Sequence, residues 1–197
     1  MKRNRCKKIA AALLCVVMGC TTLGQGFSAA AADATTSEEE VEINFAKALQ
    51  MSLYFYDANK CGSGITGGNL EWRGDCHTED AAVPLKPMGE DYKGTNLSQK
   101  FIDANRDILD PDGDGTIDVA GGMHDAGDHV KFCLPGSYAA STLGWGYYEF
   151  RDAYVDSGQQ WHIEDILHWF NDYYLKCTYF DENGDILAFC YQVGEGD

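Results

Sequence analysis

The chain has 197 residues, with 15 basic and 31 acidic side chains, eight cysteines and only four prolines. That length suffices for one domain with a real core. A formal charge of −16 repels nucleic acid and anionic membrane, and leaves neutral polymers such as polysaccharides and divalent cations as compatible partners.

The first residues read as an export signal. Lys2, Arg3, Arg5, Lys7 and Lys8 form a basic start, Ile9 to Gly19 a short apolar run, and Ala29 to Ala32 a small-residue cleavage region. The apolar run is too short for a membrane span. A signal peptide over 1–32 and a secreted, extracellular product are therefore expected. Val17-Met18-Gly19-Cys20 resembles a lipoprotein cleavage site, with Met18 a poor fit, so a surface lipoprotein is the alternative. Removal of 1–32 leaves ten basic against 31 acidic residues, a formal charge of −21. It also leaves five cysteines: Cys61, Cys76, Cys133, Cys177 and Cys190. Export permits disulfides, but an odd count leaves at least one thiol free or metal-bound.

Residues 33–42 are acidic and small, a flexible lead-in. From Ile43 the period becomes helical, with Phe45, Ala48, Leu49, Ser52, Leu53 and Tyr56 on one stripe. Asn59 to Asn69 is glycine-rich loop. Cys61, Cys76 and His77 are good zinc ligands, with His124 a candidate fourth; a Cys61–Cys76 disulfide is the competing reading. Trp72 to Asp118 has no sustained period and is expected to be a long structured loop. Trp72 lies in that loop and is the best candidate for stacking on a sugar face, while Arg73 and Asp75 should brace loops. Asp110-Pro111-Asp112-Gly113-Asp114-Gly115 resembles the start of an EF-hand loop. Asp110, Asp112 and Asp114 would face calcium, but the twelfth position is Gly121 rather than a bidentate glutamate, and a solvated acidic turn is the plainer reading.

Gly121 to Phe132 holds the densest chemistry. Asp125 and Asp128 stand three apart, separated by Ala126 and Gly127 and bracketed by His124 and His129. Carboxylates in such a bend suit a base or a water-orienting group; a metal or capping loop is the equal alternative from residue types alone. His129, beside Asp128, is a candidate contact for a sugar hydroxyl. Beyond Pro135, Ser137 is expected to cap a helix running to about Val155, striped by Leu143, Tyr147, Phe150 and Tyr154 and ended by Gly158. A second helix from about Trp161 carries Ile163, Ile166, Leu167, Phe170, Tyr174 and Cys177, and should pack antiparallel to the first. Cys177 to Phe180 and Ile186 to Val193 suit a short hairpin about Asn183-Gly184. That register puts Cys177 opposite Cys190 in a non-hydrogen-bonded pair, where a disulfide fits.

Several of these segments carry a resemblance. Asp118 to Phe132 is similar to the catalytic-base signature of family nine glycoside hydrolases, mostly endoglucanases. Phe55-Tyr56-Asp57-Ala58-Asn59, Trp72-Arg73-Gly74-Asp75-Cys76-His77, Ser141-Thr142-Leu143-Gly144-Trp145-Gly146 and Tyr191-Gln192-Val193-Gly194 extend the match in order across 43–197. The resemblance implies an all-α fold, part of an (α/α)6 barrel, with long loops and one short β-hairpin. It implies inverting hydrolysis of internal β-1,4-glucosidic bonds in cellulose or related glucans, with Asp128 as base and Asp125 holding the water. The Cys76-His77 and His124 variant resembles those members that hold a structural zinc with two cysteines and two histidines. Cys133 stands where the family usually has glycine. The family's acid is a glutamate near the end of a longer catalytic domain, and no residue here matches it; Glu195 is not assigned to that role. The isolated chain is therefore expected to supply the base side only, to be inactive, and to expose apolar helix faces. Cellulosome association would require C-terminal modules outside this chain. The alternative function is a non-catalytic secreted carbohydrate- or metal-binding protein.

Overall fold

The computed structural model describes residues 43–194. The expected signal peptide over 1–32, the expected lead-in over 33–42 and Glu195 lie outside the described residues. Helix α1 (Phe45–Asn59) starts where the Asn44 side chain accepts the Lys47 N–H at 2.9 Å. Leu53 is its most buried apolar residue, whereas Phe45 at its first turn is exposed.

The stretch expected to be loop contains order of its own. It holds a 3-10 turn (Thr78–Ala82), strand β1 (Val83–Pro84), helices α2 (Gln99–Ala104) and α3 (Arg106–Leu109), and strand β2 (Thr116–Ile117). Strands β1 and β2 pair antiparallel, Val83 opposite Ile117. Helices of six and four residues are too short to display a period, which is why the pattern missed them. Leu85, Ile102 and Leu109 form a small core beneath them.

Strand β3 (Lys131–Phe132) runs directly into α4 (Cys133–Glu149), followed by α5 (Arg151–Asp156) and α6 (Gln160–Lys176). The helix expected over Ser137–Val155 thus starts four residues earlier and is broken at Phe150, which is exposed. Pro135 is the third residue of α4, inside the first turn, where the missing N–H has no intrahelical partner to lose. Ser137 is no cap; its hydroxyl donates to the Leu134 carbonyl at 3.1 Å. Gly158, at φ 71°, does end the helical run.

Helices α4 and α6 pack antiparallel. Gly136 lies against Tyr174, Gly144 against Leu167, and the Tyr147 hydroxyl donates to Glu164. Ile163, Ile166 and Phe170 join Leu53 and Tyr154 in the main core. Ile163 and Ile166 are fully buried, each stabilising by about 1.5–3 kcal/mol. His162 and Tyr173, outside the expected stripe, are also buried.

Strand β4 (Thr178–Phe180) pairs antiparallel with β5 (Ile186–Phe189), and β6 (Gln192–Val193) pairs with β3 instead of extending the hairpin. The turn is not the expected two-residue Asn183-Gly184 type. Asp181 N–H donates to Asp185 O at 2.8 Å, enclosing three residues with Gly184 at φ 84°. A bulge at Tyr179/Phe180 restores the register, so Cys177 still faces Cys190. Their backbones are hydrogen-bonded, however, through Cys190 N–H to Cys177 O at 2.8 Å.

The architecture is therefore mainly helical with three short antiparallel strand pairs, and among the described residues no barrel closes. Leu134, Tyr138, Trp145 and Tyr148 form an exposed stripe along α4. Among the described residues, no helix is long and apolar enough to cross a membrane.

Candidate active site and metal centre

Three backbone segments meet just after α1. Cys61 N–H donates to Gly122 O at 2.9 Å, Gly62 and Cys76 exchange bonds of 2.9 and 3.0 Å, and His124 N–H donates to Asn59 O at 2.9 Å. The approach depends on glycine: at Gly62, φ 103°, a Cβ would stand 2.9 Å from the Gly121 nitrogen. These bonds bring the Cys61 and Cys76 sulfurs and one ring nitrogen each of His77 and His124 within 4.8 Å of one another. All four expected zinc ligands therefore converge.

The donor chemistry fits a soft divalent ion. Zinc bonds of about 2.0–2.3 Å require ligands slightly closer than this, a small closure for side chains on loops. His77 Nδ1 and His124 Nε2 are buried with no hydrogen-bond partner. Burial, then the charges of His77 and His129, pull His124 down to about 4, so its lone pair is free at neutral pH. Burial pushes the Cys61 thiol up to about 12, which only a cation would reverse. Arg73 reaches the Cys76 sulfur at 3.6 Å and the Lys60 carbonyl at 2.5 Å. Asp75 closes the adjoining turn by accepting the Ile65 and Thr66 N–H groups, both at 2.9 Å. The five described cysteines are unbridged.

The aspartate loop grows from this centre. Asp125 N–H donates to Val130 O at 2.9 Å, His129 N–H to Ala126 O at 3.1 Å, and Val130 N–H to the Asp128 carboxylate at 3.4 Å. Both Asp125 and Asp128 are exposed on this tight turn. His129 has left-handed backbone, φ 62°, and its ring lies 4.9 Å from that of His124 and 5.7 Å from that of His77. His129 thus joins the aspartates to the Cys/His cluster. Trp72 is exposed on the neighbouring turn and is not among the groups that converge.

Lys131 was missed by sequence reasoning. Its buried ammonium pairs with Asp80 at 2.8 Å, donates to Val119 O at 2.7 Å and Gly121 O at 3.1 Å, and lies 5.0 Å over the Tyr173 ring. It fastens the Val119–Gly121 segment beside the aspartate loop. A lysine between Val130 and Phe132 at the mouth of a helix was the available signal.

A second network missed by the pattern joins α1 to α6. Asp57 accepts from His162 at 2.7 Å and Asn69 at 2.9 Å, and Lys60 pairs with both Asp57, at 3.0 Å, and Asp165, at 2.5 Å. Burial raises the Asp57 carboxyl, but the hydrogen bonds and the Lys60 charge outweigh it and hold the group below its ordinary range. A cavity of about 180 Å³ beside it is lined by Lys60, Arg73, Trp161 and Trp169; neither Asp125 nor Asp128 reaches it.

Asp110, Asp112 and Asp114 also converge, with carboxylate oxygens within 4.8 Å. Gly115 N–H donates to Asp110 at 3.0 Å, and the other Asp110 oxygen is buried without a partner. The flanks are a four-residue helix and a two-residue strand, not the long helix pair of an EF-hand.

Comparison with known proteins identifies the family. The profile of glycosyl hydrolase family 9 matches residues 45–197. Endoglucanase A of Bacillus pumilus is 32% identical over 165 residues, 84% of this chain and 20% of its own length. Endoglucanase 4 of Bacillus sp. (strain KSM-522) is 33% identical over 156 residues, 79% of this chain and 19% of its own. The chain thus spans about a fifth of these curated relatives. Among solved structures, the catalytic domain of Clostridium thermocellum CelT is 57% identical with a TM-score of 0.73, covering 78% of this chain and 30% of that one. The cellulase Cel9M of C. cellulolyticum is 35% identical with a TM-score of 0.52, covering 78% and 28%. These solved relatives are (α/α)6 barrels, of which this chain carries a helix-rich part. Through residues 45–197, the chain belongs to glycosyl hydrolase family 9.

Proposed function

We propose that this chain supplies the base side of an inverting hydrolase acting on internal β-1,4-glucosidic bonds of cellulose or related β-glucans. The observation that carries this reading is the exposed Asp125–Asp128 turn, held from behind by three hydrogen-bonded segments and the histidine cluster. Family membership supports it, as do relatives named endoglucanases and a Cel9M structure in complex with cellobiose.

Asp128 takes the proton of a water attacking the anomeric carbon, and Asp125 orients that water. A carboxylic acid about 6.5–9.5 Å away protonates the leaving oxygen. No described residue is assigned that role. His129 contacts sugar beside the base, and Trp72, exposed on the neighbouring turn, offers a stacking face for the glucan away from it. Cys61, Cys76, His77 and His124 hold zinc, whose chemistry here is structural: it ties the three segments together. Calcium at Asp110, Asp112 and Asp114 is supported by the partnerless Asp110 oxygen. The basic, apolar and small-residue start supports export.

The test is Asp128→Asn in an enzyme restored to the length of its relatives, assayed on carboxymethylcellulose. A fall in kcat of about 10²–10⁴ is expected for loss of the base. Retained hydrolysis would instead favour a binding role for the loop.

A further inference from the structure

A second group of thiols, Cys133, Cys177 and Cys190, lies where the end of α6 packs against β6 and the start of α4. We propose that Cys177 and Cys190 are a disulfide-forming pair, joining the end of α6 to the segment between β5 and β6. Cys177 is fully buried as the C-terminal cap of α6, and Cys190 is partly buried. Two observations set this pair together. The register Thr178 to Phe189 continues outward to set Cys177 beside Cys190, in a hydrogen-bonded pair (Cys190 N–H to Cys177 O, 2.8 Å) rather than the expected non-hydrogen-bonded one. Cys177 has helical backbone (φ −75°, ψ −8°), so its side chain is not confined to the pleat of the sheet. The third thiol, Cys133, borders the same pair, donating to the Cys190 carbonyl at 3.3 Å, and is the competitor that the test separates.

The chemistry of the two sulfurs is complementary. The nearness of the two thiols holds Cys190 below the ordinary thiol range and Cys177 above it, and the Cys190 thiol donates to the Gln192 carbonyl at 3.4 Å. Cys190, partly exposed, is the sulfur an external disulfide reaches first and is the attacking one; Cys177, fully buried, is the resolving one. The oxidant is a small-molecule disulfide such as oxidised glutathione. The Cys190 thiolate attacks one of its sulfurs, breaks the S–S bond and releases one glutathione thiolate. Cys177 gives up its proton, attacks the Cys190 sulfur of the mixed disulfide and releases the second. The protein loses two protons and two electrons, and one oxidised glutathione becomes two reduced. The link would brace the chain just before β6, whose partner β3 begins three residues after Asp128.

The test is peptide mapping of the intact chain after native treatment with oxidised glutathione and alkylation of remaining thiols. Tryptic cleavage after Lys176 leaves both cysteines on 177–197, while Cys133 lies on 132–151. The expected result is a 177–197 peptide two hydrogens lighter and unalkylated, whose fragments stay joined after cleavage at Glu182, with Cys133 alkylated. Alkylation of Cys177 and Cys190, a stable glutathione adduct on either, or a link from either to any other cysteine would overturn the proposal.

Discussion

Replacing Lys131 by methionine tests whether one buried ammonium organises the segment beside the aspartate loop. Methionine keeps most of the apolar stem and the volume, so packing against Tyr173 is largely preserved. What is lost is the ion pair to Asp80 and the bonds to Val119 O and Gly121 O. The Lys131 side chain is 3% exposed and that of Asp80 17%, so the abandoned carboxylate is poorly solvated. Breaking a buried pair from one side costs about 3–5 kcal/mol, within which the two stranded carbonyls account for much. With a urea slope of roughly 2 kcal/mol/M, the unfolding midpoint should fall by about 2 M. Trp169 is a local probe, because its indole N–H donates to Gly122 O at 2.8 Å, next to the same segment. Fluorescence-monitored urea unfolding of wild type, Lys131→Met and Lys131→Met/Asp80→Asn gives the comparison. The double variant should recover part of the loss, since it strands no charge. A loss below about 1 kcal/mol in the single variant would refute the reasoning.

Cys61→Ser should release about one equivalent of zinc by elemental analysis; absence of metal from the parent chain would sink the site. Asp57 is held below its ordinary range, so its contribution is fully present above the unfolded value of about 3.9 and is lost as pH falls through the lower folded value. Asp57→Asn should therefore flatten the fall in urea midpoint between neutral pH and about pH 3, and an unchanged slope would contradict that assignment. Gly62→Ala combines a left-handed φ with a clash against the Gly121 nitrogen. It should cost about 2–3 kcal/mol in the same unfolding assay and weaken zinc retention, whereas a neutral substitution would show that the close approach is not needed.

The legible parts of the sequence were those with local causes. The α1 and α6 stripes are visible because 3.6-residue periodicity puts Leu53, Ile163, Ile166 and Phe170 on buried faces. The short helices after Ser98 were illegible because six and four residues complete too few turns to show a period. The Phe150 break was illegible for another reason: the apolar spacing continues across it while the backbone does not. Asp57 and His162 left a faint trace, as polar residues on otherwise buried helix faces. Their pairing across 105 positions left none.

The residue types of the candidate site were likewise readable, since thiols, imidazoles and paired carboxylates are rare enough to be conspicuous and the ordered motifs pointed to one family. The sequence by itself determined which groups were available, in what order, and with what local turns. Only the tertiary structure decided that Cys61, Cys76, His77 and His124 share one point, that His129 leans on them, and that Lys131 fastens the segment beside the loop. The physical reason is that these meetings are made by backbone hydrogen bonds between distant segments, Cys61 to Gly122 and Gly62 to Cys76, and by a glycine whose missing Cβ permits the contact. Neither composition nor period records which distant strand a free N–H will find.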